Sequence, residues 1–283
     1  MELIEYLRLQ VEFGADEFLV ETPLDRRAPP AAMAAATGEA AASAPMPEAS
    51  IAPAQPARAS RPASRPAGMP AGPAEAARLA ESCDTLEALA RAMAGFTGCS
   101  LRDTATQLVF ADGAADAQTM LIGEAPGGEE DRAGRPFVGP AGQLLDRMFA
   151  SIGLDRSQLR IANVVPWRPP GNRNPTDAEI AVCLPFLLRQ IALVAPRRLV
   201  LLGAVAAKAL LPEPDRQQGI RRLRGSFRDV AIPGLPDKLP ALATYHPAYL
   251  LRMPAAKAES WLDLLSLRQA LAEDLPATSL TPG

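Results

Sequence analysis

Apolar residues recur along this chain in two rhythms. In residues 3–20, Leu3, Ile4, Leu7, Val11, Phe18 and Leu19 fall at roughly helical spacing, which predicts a short amphipathic helix within an acidic segment 1–27. Four continuous apolar runs, Thr119–Ile122, Leu159–Val165, Arg198–Leu202 and Leu239–Thr244, read instead as strands buried on both faces. Helical periodicity fills the intervals, over Ala77–Ala94, Gly142–Ser151, Asp177–Val194, Ala204–Leu211 and Ala256–Ala272. The Asp177–Val194 helix is the best marked, because Thr176 and Glu179 form a capping box at its start and Pro196 stops it. Strands alternating with helices predict an α/β domain with a parallel sheet covered on both faces.

The stretch 28–77 has neither rhythm. Ala and Pro supply 31 of its 50 residues. Repeated Pro forbids a continuous helix, and few large apolar groups are present to offset the entropy of ordering. It is expected to be a disordered tether, whether a working linker or inert filler. The folded domain is then expected over 78–275, with a flexible tail at 276–283.

Composition sharpens this division. The chain has 283 residues, 29 of them Pro, with only 8 Phe, 3 Tyr and 2 Trp, as expected if part of it does not pack. The net charge is −3, but residues 1–27 carry three Arg against seven acids, so most of the acid excess lies outside the domain. The near-neutral remainder leaves room for a basic stripe without requiring one. No run approaches the roughly 20 apolar residues that span a bilayer, so no membrane partner is expected. The acidic start resembles neither a secretory signal nor a transit peptide, which predicts a cytoplasmic protein. Three cysteines, Cys83, Cys99 and Cys183, make no disulfide framework, and the single histidine, His246, excludes a multi-histidine zinc site.

Candidate chemistry gathers where the predicted strands end. The first run leads to Gly123-Glu124-Ala125-Pro126-Gly127, the second holds Asn163, the third leads to Gly203, and the fourth to His246-Pro247-Ala248. Ligands of parallel sheets bind at the carboxyl ends of the strands, so Glu124, Asn163 and His246 converge at one edge. The Gly-rich loop lacks a Gly-Lys-Ser/Thr, and Glu124, Glu129, Glu130 and Asp131 would repel phosphate. A dinucleotide fingerprint and a Gly-x-Ser-x-Gly elbow are also absent.

Four segments together resemble the family 4 uracil-DNA glycosylases: Gly123–Gly127, Gly134-Arg135-Pro136-Phe137-Val138-Gly139-Pro140-Ala141-Gly142, Arg168-Pro169-Pro170-Gly171-Asn172-Arg173, and His246-Pro247-Ala248-Tyr249-Leu250-Leu251-Arg252. The resemblance runs in order from about Phe96 to Pro254. It implies a three-layer α/β/α fold with a four-stranded parallel sheet, and hydrolysis of the N-glycosidic bond of deoxyuridine flipped out of DNA. On this resemblance Gly123 and Ala125 line the base pocket, Phe137 stacks on uracil, and Asn163 reads its edge. His246 stabilises the departing base, and Glu124 faces the sugar. Arg135, Arg168, Arg173, Tyr249, Leu250, Leu251 and Arg252 are expected to meet DNA, the last four as a wedge with a basic tip. Arg221, Arg222 and Arg224 are further candidates for phosphates. A non-catalytic uracil- or lesion-binding protein, or a replication-associated DNA-binding protein, is the alternative reading. Some relatives resemble a piece fused to a phage-type DNA polymerase, which keeps that reading open. The acidic segment 1–27 is a candidate docking element for a replication or repair protein, or else a helix that packs back on the domain, and the chain is expected to be a monomer.

The chain departs from the family at its cofactor. The family pattern implies a four-iron, four-sulfur cluster on four Cys. Here Phe96 and Trp167 stand at two of those positions, and only Cys99 and Cys183 remain. Cys83 lies in a predicted helix and would still leave a ligand missing. No cofactor is therefore expected, with Phe96 and Trp167 filling the vacated volume beside two buried thiols. A covalently trapping branch of the superfamily uses an extra His in the loop matching Arg168–Asn174, where this chain has none, so trapping is not expected.

Overall fold

All four apolar runs form strands, and they lie side by side in parallel. The computed structural model describes residues 72–273, so the N-terminal segment 1–27, nearly all of the Ala/Pro-rich stretch and the tail 276–283 lie outside the described residues. Within it, β2 (Thr119–Gly123), β3 (Leu159–Asn163), β4 (Arg198–Leu202) and β6 (Leu239–Thr244) form the centre of the sheet in the order β3-β2-β4-β6. The expectation of a four-stranded sheet needs correction, because two antiparallel edge strands bring the total among the described residues to six. These are β1 (Asp112–Gly113) against β3 and β5 (Phe227–Val230) against β6. Both escape a hydrophobic reading, since one has two residues and the other alternates charge within Phe-Arg-Asp-Val.

β2, β3 and β4 are buried at every residue, the condition that produced their continuous apolar runs. One face packs on α1 (Pro73–Glu81), α2 (Leu86–Gly95) and α5 (Asp177–Val194), where Met120, Ile122, Leu199 and Leu201 join Leu89, Phe186 and Ile191. The other carries α4 (Pro140–Ala150) and α9 (Lys257–Glu273), where Leu121, Val200 and Leu242 meet Leu145, Phe149 and Leu264.

The capping box at α5 forms as read: the Thr176 hydroxyl accepts from the Glu179 amide at 3.3 Å, and the Thr176 amide donates to Glu179 Oε2 at 2.7 Å. The single helix expected over Ala77–Ala94 is instead two. Thr85 caps α2 by accepting from the Ala88 amide, and Ser82 turns its hydroxyl back to the Leu79 carbonyl. Short polar side chains that bond their own backbone break the helix there. Ordered structure also begins before residue 78, because Pro73 occupies the first turn of α1, where proline costs no hydrogen bond. Proline likewise opens α4 two residues earlier than expected.

β3 stops at Asn163 rather than Val165, but its register continues. Gly123 pairs with Asn163, and the amides of Val164 and Val165 donate to the carbonyls of Gly123 and Glu124, each at 3.0 Å. The first two strand ends are thereby locked together at the edge where the candidate residues gather.

Candidate active site

Gly123 is the floor of the site. A Cβ there would lie 2.4 Å from Asn163 Oδ1 and 2.5 Å from Phe137 Cζ, so only glycine lets the amide and the ring close over the end of β2. Phe137 arrives from the loop after α3 (Gly128–Ala133) with φ of +54°, a left-handed conformation rarely taken by an aromatic residue. Its ring centroid lies 5.5 Å from that of His246, with the planes inclined by 31°.

His246 is the N-cap of α8 (Pro247–Arg252). Its Nδ1 accepts from the Ala248 amide at 3.1 Å, which leaves the proton of the neutral ring on Nε2. Burial, and secondarily Arg252, lower its pKa from 6.5 to about 4, while Glu130 pulls the other way. At neutral pH the imidazole is therefore an uncharged Nε2–H donor. Burial raises the Glu124 carboxyl above the ordinary value and Arg252 opposes it. Asn163 is buried at 6% exposure, and its Oδ1 has no hydrogen-bond partner among the described residues.

These groups share a cleft of about 370 Å³, lined by Glu124, Ala125, Phe137, Asn163, His246, Tyr249 and Arg252, with Glu130, Arg173 and Asn172 among the others. The sequence brought most of this list together, but it gave no structural role to the acids after Gly127. Glu130 Oε1 accepts from the amides of Val138 and Gly139 at 3.0 and 2.9 Å, and Oε2 accepts from Gly127 at 3.1 Å. It ties the Glu124 loop to the Phe137 loop. Asp131 is buried and accepts from the amide and hydroxyl of Thr106. The Gly-x-x-Glu spacing from Gly127 to Glu130 was a capping signal available in the sequence.

The expected DNA contacts divide. Leu250 is 1% exposed and packs in the core, so the expectation that it enters a duplex needs correction. The exposed apolar side chains on this segment are Leu251 at 42% and Met253 at 50%. On α8 a side chain one step round the helix from an exposed neighbour turns inward, which the sequence run Tyr-Leu-Leu-Arg does not reveal. Arg135 pairs with Asp112 at 3.0 Å and does not line the cleft. Arg168 donates from Nε to Asn172 Oδ1 at 2.8 Å. Arg173 forks onto both oxygens of Glu179, and this guanidinium holds the Glu179 pKa at about 2. Arg224 grips the buried Asp263, which also accepts from Thr244 at 2.7 Å, so it braces the end of β6 instead of presenting a free cation. Arg221 lies beside Tyr245 and Tyr249.

The four positions implied for a cluster lie in one hydrophobic core. Cys99 and Cys183 are buried with their Sγ atoms 3.8 Å apart, and Phe96 and Trp167 are 4% and 2% exposed. The Cys183–Cys99 hydrogen bond, aided by burial, raises the Cys183 thiol, and accepting that bond lowers Cys99 to about 7. Phe96 sets its ring edge-on against Phe186 at 5.1 Å. Cys83 lies in the turn between α1 and α2 and donates to the Leu79 carbonyl. Among the described residues no three Cys, His, Asp or Glu converge as metal ligands. Two thiols and two aromatic rings do not fit a group that needs four thiolates.

Comparison with known proteins adds to this geometry. Residues 110–265 match the model of the uracil DNA glycosylase superfamily. The chain is 41% identical over 167 residues to a type-4 uracil-DNA glycosylase of Pyrobaculum aerophilum, covering 59% of this chain and 84% of that protein. It is 36% identical over 194 residues to that of Archaeoglobus fulgidus, covering 68% and 96%. With that of Thermotoga maritima the identity is 41% over 156 residues, covering 55% and 78%.

Proposed function

Because this chain belongs to the uracil-DNA glycosylase superfamily, on its type-4 branch, we propose that it hydrolyses the N-glycosidic bond of deoxyuridine in DNA and leaves the sugar–phosphate strand intact. The observation that carries the reading is the unpartnered, buried Oδ1 of Asn163 beside the Phe137 ring. A buried acceptor without a donor is costly, and a ligand that brings an N–H repays it. Uracil offers N3–H to that oxygen and O4 to the amide nitrogen, whereas cytosine presents the opposite pair. The Phe137 ring gives the flipped base a flat apolar surface.

Cleavage places negative charge on the departing base and positive charge on the sugar. His246 donates its Nε2–H to the developing oxyanion at uracil O2, and an uncharged donor suffices there. Glu124, ionised, offsets the oxocarbenium-like sugar and orients the attacking water. Arg168, Arg173, Tyr249, Leu251 and Arg252 form the face toward the strand, with Arg135 at its edge. The chemistry uses no cofactor. In this reading the core around Phe96 and Trp167 has taken the place of the family's cluster.

Uracil-containing DNA is the partner. Residues 1–27 are assigned to docking a replication or repair protein, and deleting residues 1–71 is expected to abolish that pull-down while leaving activity on naked DNA. We further assign a monomeric, cytoplasmic enzyme.

The test is excision from a labelled oligonucleotide with one deoxyuridine, developed with alkali, against a thymine strand and His246→Ala. Cleavage by the wild type on the uracil strand alone supports the reading. Tight binding without cleavage replaces it with a non-catalytic reader of uracil.

A further inference from the structure

Arg156 precedes β3, lies behind the Phe137 loop and does not line the cleft. Its guanidinium nonetheless uses every donor it has on that loop and its supports. Nη2 donates to the Phe137 carbonyl at 2.6 Å and Nη1 to the Pro136 carbonyl at 3.1 Å. Nη1 also meets Asp112 Oδ2 at 2.8 Å, and Nη2 and Nε both meet Asp146 Oδ1, at 2.9 and 3.1 Å. Two carboxylates on different elements thus aim a planar fork at two consecutive carbonyls.

The loop needs such a grip. Phe137 holds φ of +54°, and nothing in a phenyl side chain favours that backbone. On the opposite side the Phe137 carbonyl lies against Gly142, where a Cβ would fall 1.8 Å from the oxygen. Beyond it the Val138 and Gly139 amides are held by Glu130. The peptide carrying the ring is therefore fixed at its carbonyls by Arg156 and at its following amides by Glu130.

We propose that Arg156 is a positioning residue for uracil recognition, setting the plane of the Phe137 ring through the Pro136 and Phe137 carbonyls without touching base or DNA. The assignment rests on the reading of Phe137 as the surface on which uracil stacks. A lysine cannot replace it, since a single ammonium lacks the span to reach both carbonyls and both carboxylates.

The test is a double-mutant cycle on the full chain with a deoxyuridine oligonucleotide, comparing wild type, Arg156→Ala, Phe137→Ala and the double variant, each with its melting temperature. Arg156→Ala is expected to lower kcat/KM by about 10- to 100-fold in the wild-type background, as misplacement of a positioning surface does. The same change is expected to cost less than about 3-fold once Phe137 is absent, because coupled residues fail to add. Equal losses in both backgrounds, or no loss in a folded Arg156→Ala, overturn the assignment. Should Arg156→Ala not fold, Arg156→Lys carries the same cycle under the same criteria. If the wild type binds uracil DNA without cleaving it, the cycle is read in Kd. If it does neither, the site reading fails and this assignment fails with it.

Discussion

The backbone amide of Ala248 donates to Nδ1 of His246, two residues before it, at 3.1 Å. That one bond orients the imidazole, selects its tautomer and joins the helix cap to the group proposed to act on the departing base. It also makes protonation at Nδ1 require breaking a bond in a buried place.

A pH dependence follows. The folded pKa of His246, about 4, lies below the ordinary 6.5, so the folded state resists a proton that the unfolded chain accepts. Stability from this group is full above 6.5 and is lost as pH falls from there toward 4, by roughly 3 kcal/mol over the window. His246→Gln should remove that slope from melting temperatures measured across the range, and parallel curves for the two proteins would contradict it. Excision should show no inflection at an ordinary histidine value. Its acid limb should belong to Glu124 and lie above 4.5, since burial raises that carboxyl.

Gly123→Ala introduces a methyl group where Asn163 Oδ1 and Phe137 Cζ already stand 2.4 and 2.5 Å away. Both groups proposed to recognise uracil must shift together. Single-turnover excision should fall about 100-fold, while the rest of the sheet retains its pairing and circular dichroism keeps its shape. Wild-type rates in the alanine variant would show that the ring and amide are not the recognising pair.

Asn163→Asp keeps an acceptor for N3–H but removes the donor to O4 and adds a charge. Excision of uracil should drop by more than about 100-fold, the scale set by an unpaired buried polar contact. Competition by free uracil should weaken in parallel. An aspartate variant with unchanged competition would place recognition elsewhere.

Trp167→Ala empties a buried volume at 2% exposure and should cost about 3–5 kcal/mol in denaturant unfolding. Treatment with an iron chelator under reducing conditions should leave both melting temperature and excision unchanged. A fall in either, with iron released, would restore the cluster and overturn the packing account.

The central sheet was legible because β2, β3 and β4 are buried throughout, and burial on both faces leaves an unbroken apolar run. Glu124, Asn163 and His246 were legible because parallel strands deliver their following residues to one edge. What stayed hidden depends on contacts distant in sequence. Glu130 and Arg156 act on backbone atoms, and no side-chain pattern at Val138, Gly139 or Phe137 advertises that. Leu250 was misplaced because one helical step decides between core and solvent. The paired helices α1 and α2 were merged because a capping threonine looks much like any polar residue on a helix face.

The arginines near the cleft carry one more consequence. Arg135 comes with Asp112 and Arg173 with Glu179, so each brings a carboxylate to any phosphate it meets. Cations already paired release fewer of the counterions condensed on DNA, so these two add little to the salt dependence of strand binding. In the proposed reading a base seated in the cleft, more than these cations, then holds the protein to a strand.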